Sequence, residues 1–268
     1  MAHLLIFGLG YTAKRVAAAV RKHGWSVNAT GSAGDLDFED RSQVVSAVEQ
    51  ATHILSSVPP DRASGLDPVL DAYGDVLTGR ALFYLSSTGV YGDQQGAWVD
   101  ESTPTVAETG AKKPEGRRNA RAEADAAWMA MAARVFRLPG IYGPGRSALD
   151  RVRDGRARRI DLPGQVFSRV HVDDIVSGVV AAMMQDAPPG AYNLGDDLPA
   201  SGNAVTEYAC QLLGTEPPTL ETLEEANLSE MARGFYAENR RVANGKAKRV
   251  LGWKLEYPTY VEGLSALV

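Results

Sequence analysis

The chain has 268 residues, 44% of them hydrophobic, and a net charge of -5, which suits one globular α/β domain with or without a small annex. This acidic balance argues against nucleic acid or an anionic membrane as a partner. The single Cys210 excludes an internal disulfide, and no apolar run approaches the roughly 18 residues of a membrane span. With a first strand that starts at residue 4, we expect a cytoplasmic protein.

The N-terminal segment combines a short apolar strand, a glycine-rich turn and a helix. Residues 4–7 are too few for a helix, and residues 12–22 have a helical composition. Between them, GLGYTA at 8–13 has the G-x-G-x-x-A spacing of a dinucleotide-binding turn. The helix N-terminus would face the phosphates. We therefore predict NAD(P) binding by Gly8, Gly10, Tyr11, Thr12 and Ala13.

Strands and helices then alternate along the first half of the chain. We predict strands near 3–8, 26–31, 35–38, 52–58, 81–87 and 134–138, and helices near 11–23, 41–50, 66–79 and 118–132. This alternation predicts an α/β fold with a doubly wound parallel sheet of the Rossmann type. Beyond Gly140 the pattern loosens, with a helix up to Met184 and a further strand at AYNLGD.

Two portions are expected within this fold. The NAD(P)-binding Rossmann domain would span 1–187, with a substrate-loop insertion near 144–168. Residues 188–268 would form a smaller, mainly substrate-facing portion, interleaved with the main sheet.

The strand ends add candidate contacts to the cofactor. At the end of the second strand an acidic residue selects NAD and an arginine accommodates NADP. The segment NATGS at 28–32 has neither, and its hydroxyl groups can donate to a 2′-phosphate, which favours NADP weakly. Asp37, in the segment LDF, can accept a hydrogen bond from the adenine amino group, or it is a solvated acid in a turn. Two serines end the strand near 52–58, on the pyrophosphate and nicotinamide side. These candidates are Thr30, Ser32, Asp37, Ser56 and Ser57.

Four further segments give the chain a family likeness. SSTGVYG at 86–92, GIYGPGR at 140–146, VHVDD at 170–174 and ENRRVANGKAKRVLGW at 238–253 accompany the glycine turn. With them, nearly the whole chain resembles the short-chain dehydrogenase/reductase superfamily, and its extended NAD-dependent epimerase/dehydratase branch in particular. The resemblance implies a small-molecule substrate and a hydroxyl that holds the substrate oxygen. That hydroxyl falls on Ser87, with Thr88 beside it.

The proton relay of that branch is missing. Its Tyr-x-x-x-Lys passes the proton, and the Lys lowers the tyrosine pKa from about 10. At the matching place the chain reads EGRRN at 115–119, so Glu stands for Tyr and Asn for Lys. In lacking this motif, the chain resembles the atypical members of the superfamily. Glu115, Tyr91 or Tyr142 could donate the proton in place of the missing tyrosine. Arg117 or Arg118 could supply the positive charge of the missing lysine. Alternatively, Glu115 and the two arginines form a solvated helix start with no catalytic role.

The same resemblance implies a substrate cleft after the strand near 134–138. Nucleotide-sugar epimerases support the substrate diphosphate with an Arg four residues before the matching His, and this chain has Phe167 there. Other arginines can bind an anionic substrate or are surface charges, and His171 is an acid/base candidate or a structural histidine. We place Pro139 at the cofactor and Tyr142, Arg169, His171 and Arg241 at the substrate. No His/Cys/Asp spacing indicates a metal site.

Two functional hypotheses follow. One is an NAD(P)-dependent oxidoreductase or epimerase that acts on a carbonyl or alcohol, sugar-derived compounds included, with a non-standard proton relay. The other is a non-catalytic NAD(P)-binding redox sensor or partner-binding protein. Helices near 66–79 and 118–132 lie where related proteins form a homodimer. An apolar stripe there fits such an interface or the core: Leu66, Val69, Leu70, Tyr73 and Leu77.

Overall fold

The computed structural model describes residues 2–61, 63–110 and 117–268, with 117–119 and 230–232 described by their backbone only. Its strands are β1 (His3–Phe7), β2 (Ser26–Ala29), β3 (His53–Ser56), β4 (Ala81–Ser87), β5 (Trp98–Val99), β6 (Arg134–Leu138), β7 (Gly140–Tyr142), β8 (Arg159–Ile160), β9 (Arg169–His171), β10 (Gly190–Asn193), β11 (Leu220–Glu221) and β12 (Arg241–Val242). Its helices are α1 (Tyr11–Lys22), α2 (Arg41–Gln50), α3 (Pro68–Tyr73), α4 (Val106–Thr109), α5 (Arg117–Ala130), α6 (Ala148–Arg153), α7 (Val172–Met184), α8 (Gly202–Leu213), α9 (Glu230–Tyr236), α10 (Gly245–Leu251) and α11 (Tyr260–Ser265). A 3-10 turn spans Thr88–Tyr91.

Six parallel strands form the central sheet in the order β10-β6-β4-β3-β1-β2. Apolar side chains of α1, α7 and α10 pack on one face of the sheet, and those of α2, α3 and α5 pack on the other. Strands β1 and β3 are almost wholly buried, as strands covered on both faces must be. The predicted α/β fold with a doubly wound parallel sheet is confirmed. All the carboxyl ends of these strands lie along one edge of the sheet.

Buried polar caps fix the helices on this sheet. Asp67 precedes α3 and accepts from the N–H groups of Val69 and Leu70, each at 3.0 Å. Its second oxygen accepts from Trp128 Nε1 of α5 at 2.9 Å. One carboxylate therefore starts α3 and ties it to the neighbouring helix.

A second, smaller core lies beside the sheet. It combines apolar side chains of α6, α8 and α11 with Tyr142 of β7. Short parallel pairs, β7 with β9 and β8 with β11, accompany this core. Strands β5 and β12 also pair, and their buried side chains pack with the 3-10 turn and α5 in a separate cluster. Buried Asp174 of α7 accepts from the N–H groups of Glu256 at 2.7 Å and Tyr257 at 3.1 Å, which holds the C-terminal segment against α7.

Two predicted elements differ from the structure. The segment near 35–38 is no strand, because only an isolated bridge joins Thr30 to Leu36. The helix near 66–79 is shorter, since α3 ends at Tyr73 before Gly74. In the apolar stripe of this region, Val69, Tyr73 and Leu77 are buried in the core, whereas Leu66 is 54% exposed. The homodimer stays a prediction.

Within the described residues, none of the helices combines the length and the apolar character that crossing a membrane requires.

Candidate active site

The turn between β1 and α1 depends on Gly8. Its φ of 84° lies in the left-handed region, and a Cβ there would lie 3.0 Å from Val58 Cγ2. The Gly8 N–H donates to Thr30 Oγ1 at 3.2 Å, and its carbonyl accepts from the Gly10 N–H at 2.9 Å. Position 8 therefore requires glycine, and the turn is anchored to the end of β2.

Helix α1 starts without a side-chain cap. Gly10 is its N-cap residue, and the first turn contains no acidic residue. Apart from its chain neighbours, no described atom lies within 4 Å of the position that a Cβ on Gly10 would take. The N–H groups of the first turn are thus accessible to an anion, and a pyrophosphate fits this place. Since Thr12 and Ala13 are buried, only their main chain could contact it.

Tyr11 links the glycine turn to the loop at 143–146. Its hydroxyl donates to the Pro144 carbonyl at 3.1 Å. The Arg15 guanidinium carbon lies 4.0 Å from the centre of the Tyr11 ring, and that of Arg146 lies 5.8 Å away. Both guanidinium groups add positive charge next to the N-terminus of α1, which suits a phosphate group.

The end of β2 receives a carboxylate that the sequence analysis missed. Asp35 accepts from the Ala29 N–H at 2.7 Å and from the Asn28 amide. Partial burial raises the pKa of Asp35, but these hydrogen bonds outweigh burial and hold it below the usual range. An ionised carboxylate therefore stands beside β2, although none occurs within the strand itself.

The other candidates near β2 take different positions. Thr30 is buried, and its hydroxyl holds the Gly8 N–H. Thr30 thus has a structural contact, and its role at a 2′-phosphate stays a prediction. Ser32 is exposed and can still meet such a group. Asp37 accepts from the Glu39 N–H at 3.0 Å, which favours the turn-acid alternative.

The two serines after β3 lie against the glycine turn. Ser57 Oγ donates to the Gly8 carbonyl. Ser56 is fully buried, and no described group forms a hydrogen bond with its hydroxyl. The structure therefore places Ser57 beside the predicted pyrophosphate site and Ser56 behind it.

Ser87 ends β4 and caps the 3-10 turn. Its Oγ accepts from the Gly89 N–H at 3.1 Å, so its own hydrogen remains available to a ligand. Only β3 separates β4 from β1, so Ser87 and the glycine turn share one edge of the sheet. Thr88 is buried, whereas Ser87 is partly exposed.

Tyr91, a predicted proton donor, is enclosed at the other end of this turn. Its hydroxyl donates to Asn193 Oδ1 at 2.8 Å and accepts from Arg137 Nη1 at 3.0 Å. Asp125 accepts from Arg137 Nη2 at 2.7 Å and from Ser86 Oγ at 2.6 Å. Burial raises the pKa of Tyr91, which opposes proton transfer at neutral pH. Tyr91 thus belongs to a buried network, and its catalytic role stays a prediction.

Tyr142 and His171 are also packing residues. Tyr142 is buried, its hydroxyl donates to the Thr259 carbonyl at 3.4 Å, and burial raises its pKa. His171 caps α7, with Nδ1 accepting from the Asp173 N–H at 3.3 Å, and its ring lies 4.1 Å from that of Tyr257. Burial lowers the pKa of His171, so it stays neutral. Both residues thus have packing contacts, and their role at the substrate stays a prediction.

Arg169 belongs to the smaller core. Its Nη2 donates to the Ala200 carbonyl at 3.2 Å, and its guanidinium carbon lies 5.7 Å from the centre of the Tyr260 ring. Burial lowers its pKa, and attraction to Asp196 opposes that shift. The role of Arg169 at the substrate stays a prediction.

The arginine pair of the closing segment contacts backbone carbonyl groups of one loop. Arg241 Nη1 donates to the Gly96 carbonyl. Arg240 Nη1 donates to the Gly92 carbonyl at 2.8 Å and to Glu238 at 2.6 Å. Both arginines therefore contact the loop at 92–96 that follows Ser87, and Arg240 Nη2 lies near Gly89 as well. The role of Arg241 at the substrate stays a prediction.

Pro139, Glu115, Arg117 and Arg118 are the remaining candidates from the sequence. Pro139 lies between β6 and β7, with its Cγ 3.6 Å from the Cβ position of Gly195. Glu115 and the side chains of Arg117 and Arg118 lie outside the described residues. The residues that are described contain no cluster of His, Cys, Asp or Glu able to hold a metal.

Two cavities lie away from the glycine turn. One of about 400 Å³ borders α2, and one of about 530 Å³ borders β10 and includes Glu101, Arg137 and Lys246. The candidate site is instead an open edge of the sheet.

Several known proteins are similar to this chain in sequence or in fold. A 3-diazoavenalumate denitrifying reductase of a Streptomyces species is 33% identical over 147 residues, which are 50% of this chain and 46% of that protein. The chain thus matches about half the length of that relative. Protein YeeZ of Escherichia coli strain K12 is 25% identical over 291 aligned positions, covering 96% of this chain and 97% of YeeZ.

Solved structures extend the comparison. A functionally unknown conserved protein from Silicibacter pomeroyi DSS has a TM-score of 0.84 and 39% identity, covering 100% of this chain and 98% of that one. A Thermotoga maritima UDP-glucose 4-epimerase solved with UDP-glucose has a TM-score of 0.77 and 16% identity over 99% and 97% of the chains, which shows the fold alone. The model of the NAD dependent epimerase/dehydratase family matches residues 44–195, more than half of the chain. This protein therefore belongs to the NAD-dependent epimerase/dehydratase family.

Proposed function

We propose that the protein is an NAD(P)-dependent oxidoreductase of the atypical short-chain type, acting on a carbonyl or alcohol held by Ser87. One observation carries the proposal: the glycine turn after β1 and the Ser87 hydroxyl after β4 lie at the same edge of one parallel sheet. Ligands of such folds bind at this edge. The reductase activity named for the Streptomyces relative supports reduction as the chemistry.

Ser87 orients the substrate in this proposal. The Gly89 N–H fixes its Oγ, and its hydrogen donates to the substrate oxygen. The bound coenzyme supplies or accepts a hydride. Since Tyr91 is enclosed by Arg137 and Asn193, the proton reaches the substrate oxygen from water through Ser87, which is the non-standard relay.

NADPH is the preferred coenzyme in this proposal. The end of β2 has no carboxylate of its own, and exposed Ser32 can donate to a 2′-phosphate. Asp35 works against that preference, because its charge lies beside Ala29. We expect Ser32→Ala to weaken NADPH without affecting NADH, and Asp35→Asn to strengthen NADPH. Calorimetric titration with each coenzyme measures both effects, and equal responses of the two coenzymes would refute the preference.

Replacement of Ser87 tests the catalytic role. Ser87→Ala should abolish NADPH oxidation by carbonyl compounds and leave coenzyme affinity unchanged. Ser46→Ala, at an exposed position of α2, is the matched control. Wild-type turnover in Ser87→Ala would overturn the assignment. Coenzyme binding without oxidation by any carbonyl compound would favour the redox-sensor alternative.

A further inference from the structure

Arg240 and Ser87 approach one point of the candidate site. A Cβ built on Gly89 would lie 3.4 Å from Ser87 Oγ and 4.0 Å from Arg240 Nη2. The hydroxyl and the guanidinium are therefore no farther apart than the sum of these distances. A ligand that touches Ser87 there is also within reach of the cation.

Hydrogen bonding leaves one side of the Arg240 guanidinium available. Nη1 is bound by the Gly92 carbonyl and by Glu238. No described residue accepts a hydrogen bond from Nη2, the nitrogen nearest Gly89. The Arg240 side chain is only 16% exposed, so its orientation is fixed by neighbours rather than by solvent. A guanidinium held in this way forms strong, directed hydrogen bonds to a carboxylate.

At position 167, where the family resemblance implies an arginine for a substrate diphosphate, the chain has an aromatic residue. Phe167 and Tyr236 form an edge-to-face pair with ring centres 5.7 Å apart. Nearby Arg169 is directed to Ala200 and Tyr260. Arg240, in contrast, lies beside Ser87. A negatively charged group of a substrate that binds Arg240 would therefore be close to the carbon whose oxygen Ser87 holds.

We propose that Arg240 recognises the carboxylate of a small keto or hydroxy acid, whose reacting carbon lies within a few bonds of that carboxylate. This rests on the proposed oxidoreductase function. In the reduction, the keto carbon gains a hydride from the reduced coenzyme, and its oxygen gains a proton from water, which leaves hydroxide in the solvent. The products are the hydroxy acid and the oxidised coenzyme.

Paired substrates and paired variants test the inference. Pyruvate, acetoacetate, 2-oxoglutarate and benzoylformate are supplied to the NADPH-loaded protein, with methyl benzoylformate as the uncharged partner of benzoylformate. We expect acids to bind by calorimetry and to oxidise NADPH, and the ester to be about 10- to 100-fold poorer in kcat/KM. Arg240→Gln should remove that advantage mainly through KM, and Arg240→Lys should restore part of it.

The controls separate this inference from the proposed function. Arg156→Gln should behave as wild type, because its guanidinium pairs with Asp154 at the surface, with both side chains at least half exposed. NADPH affinity measured for every variant confirms that the fold is retained. Arg240-dependent binding of an acid without NADPH oxidation would overturn the oxidoreductase proposal and support Arg240 as an anion site. If no acid binds at millimolar levels, or if Arg240→Gln binds acids as wild type does, the Arg240 inference is wrong.

Discussion

Ser87 and Tyr91 lie at opposite ends of one 3-10 turn, and burial gives them opposite roles. Ser87 keeps a hydrogen for a ligand because its oxygen accepts from a backbone N–H. Tyr91 has both donor and acceptor engaged, by Asn193 and Arg137, and is almost fully buried. Both serine and tyrosine have a hydroxyl group that can take part in catalysis. The availability of the two hydroxyls differs because Ser87 is partly exposed and Tyr91 is enclosed.

The network behind Tyr91 depends on a buried ion pair. Asp125 and Arg137 have side chains 1% and 6% exposed, with 2.7 Å between Oδ1 and Nη2. We expect Arg137→Met to lower the free energy of unfolding by about 3 to 5 kcal/mol, because it leaves the Asp125 charge buried and unpaired. Urea unfolding measures the loss. Arg156→Met breaks the exposed pair with Asp154 and should cost under about 1 kcal/mol. Similar losses in both variants would contradict this account.

Asp196 should make stability depend on pH. Burial raises its pKa from 3.8 to about 7, so the native protein binds the proton more tightly than the unfolded chain does. Its stabilising contribution is complete below about pH 4 and is lost as pH rises to 7. Burial lowers the pKa of His171 and of His53, and both oppose this trend. The measurement is therefore a difference: between pH 5 and 8, Asp196→Asn should lose less unfolding free energy than wild type. An equal or larger loss would refute the assignment.

At the scale of helices and strands, the spacing of residues in the sequence predicted those elements that depend on contacts between residues close in the chain. The glycine turn and α1 follow from residues within one short segment, so the sequence alone located them. The predicted strand near 35–38 was wrong, because Asp35 satisfies the Ala29 N–H with its side chain. The roles of Tyr91 and Tyr142 depend on Asn193 and Thr259, each more than 100 residues away along the chain. Such contacts leave no periodic signal.

Helix α11 is fixed to β7 by a glycine. A Cβ on Gly263 would overlap the hydroxyl and the ring of Tyr142, which is itself buried. We expect Gly263→Ala to destabilise the protein by about 1 to 3 kcal/mol, because a rigid ring in a packed core cannot move aside. Thermal unfolding checks this. Adding Tyr142→Phe, which removes the overlapping oxygen, should recover part of the loss.

Gly202 provides the control for that experiment. It begins α8, and a Cβ there would make an ordinary contact at 3.7 Å with the Phe167 ring. Gly202→Ala should be neutral or slightly stabilising, by up to about 1 kcal/mol. A loss equal to that of Gly263→Ala would show that the overlap with Tyr142 is not the cause.

Across the whole molecule, the central sheet brings distant segments to one edge. The glycine turn after β1 and Ser87 after β4 share that edge, and Arg240 lies beside Ser87 at Gly89. The family and the fold were predictable from motifs in the chain. The convergence of Ser87 and Arg240 was not, since it depends on how residues 236–240 pack against residues 89–96.

Coenzyme binding should stabilise the whole molecule, because the native fold alone presents the Gly10 main chain. At a coenzyme concentration about 100 times Kd, unfolding should cost about 2.7 kcal/mol more, which raises Tm by roughly 5 to 10 °C. Gly10→Val should remove this shift. Its own Tm should fall by only a few degrees: no described atom lies within 4 Å of the Cβ position, and valine is merely a poorer N-cap residue than glycine. Thermal scans with and without NADPH measure both values, with Gly202→Ala expected to keep the shift. A Gly10→Val protein that NADPH still stabilises fully would show that the coenzyme does not approach this turn.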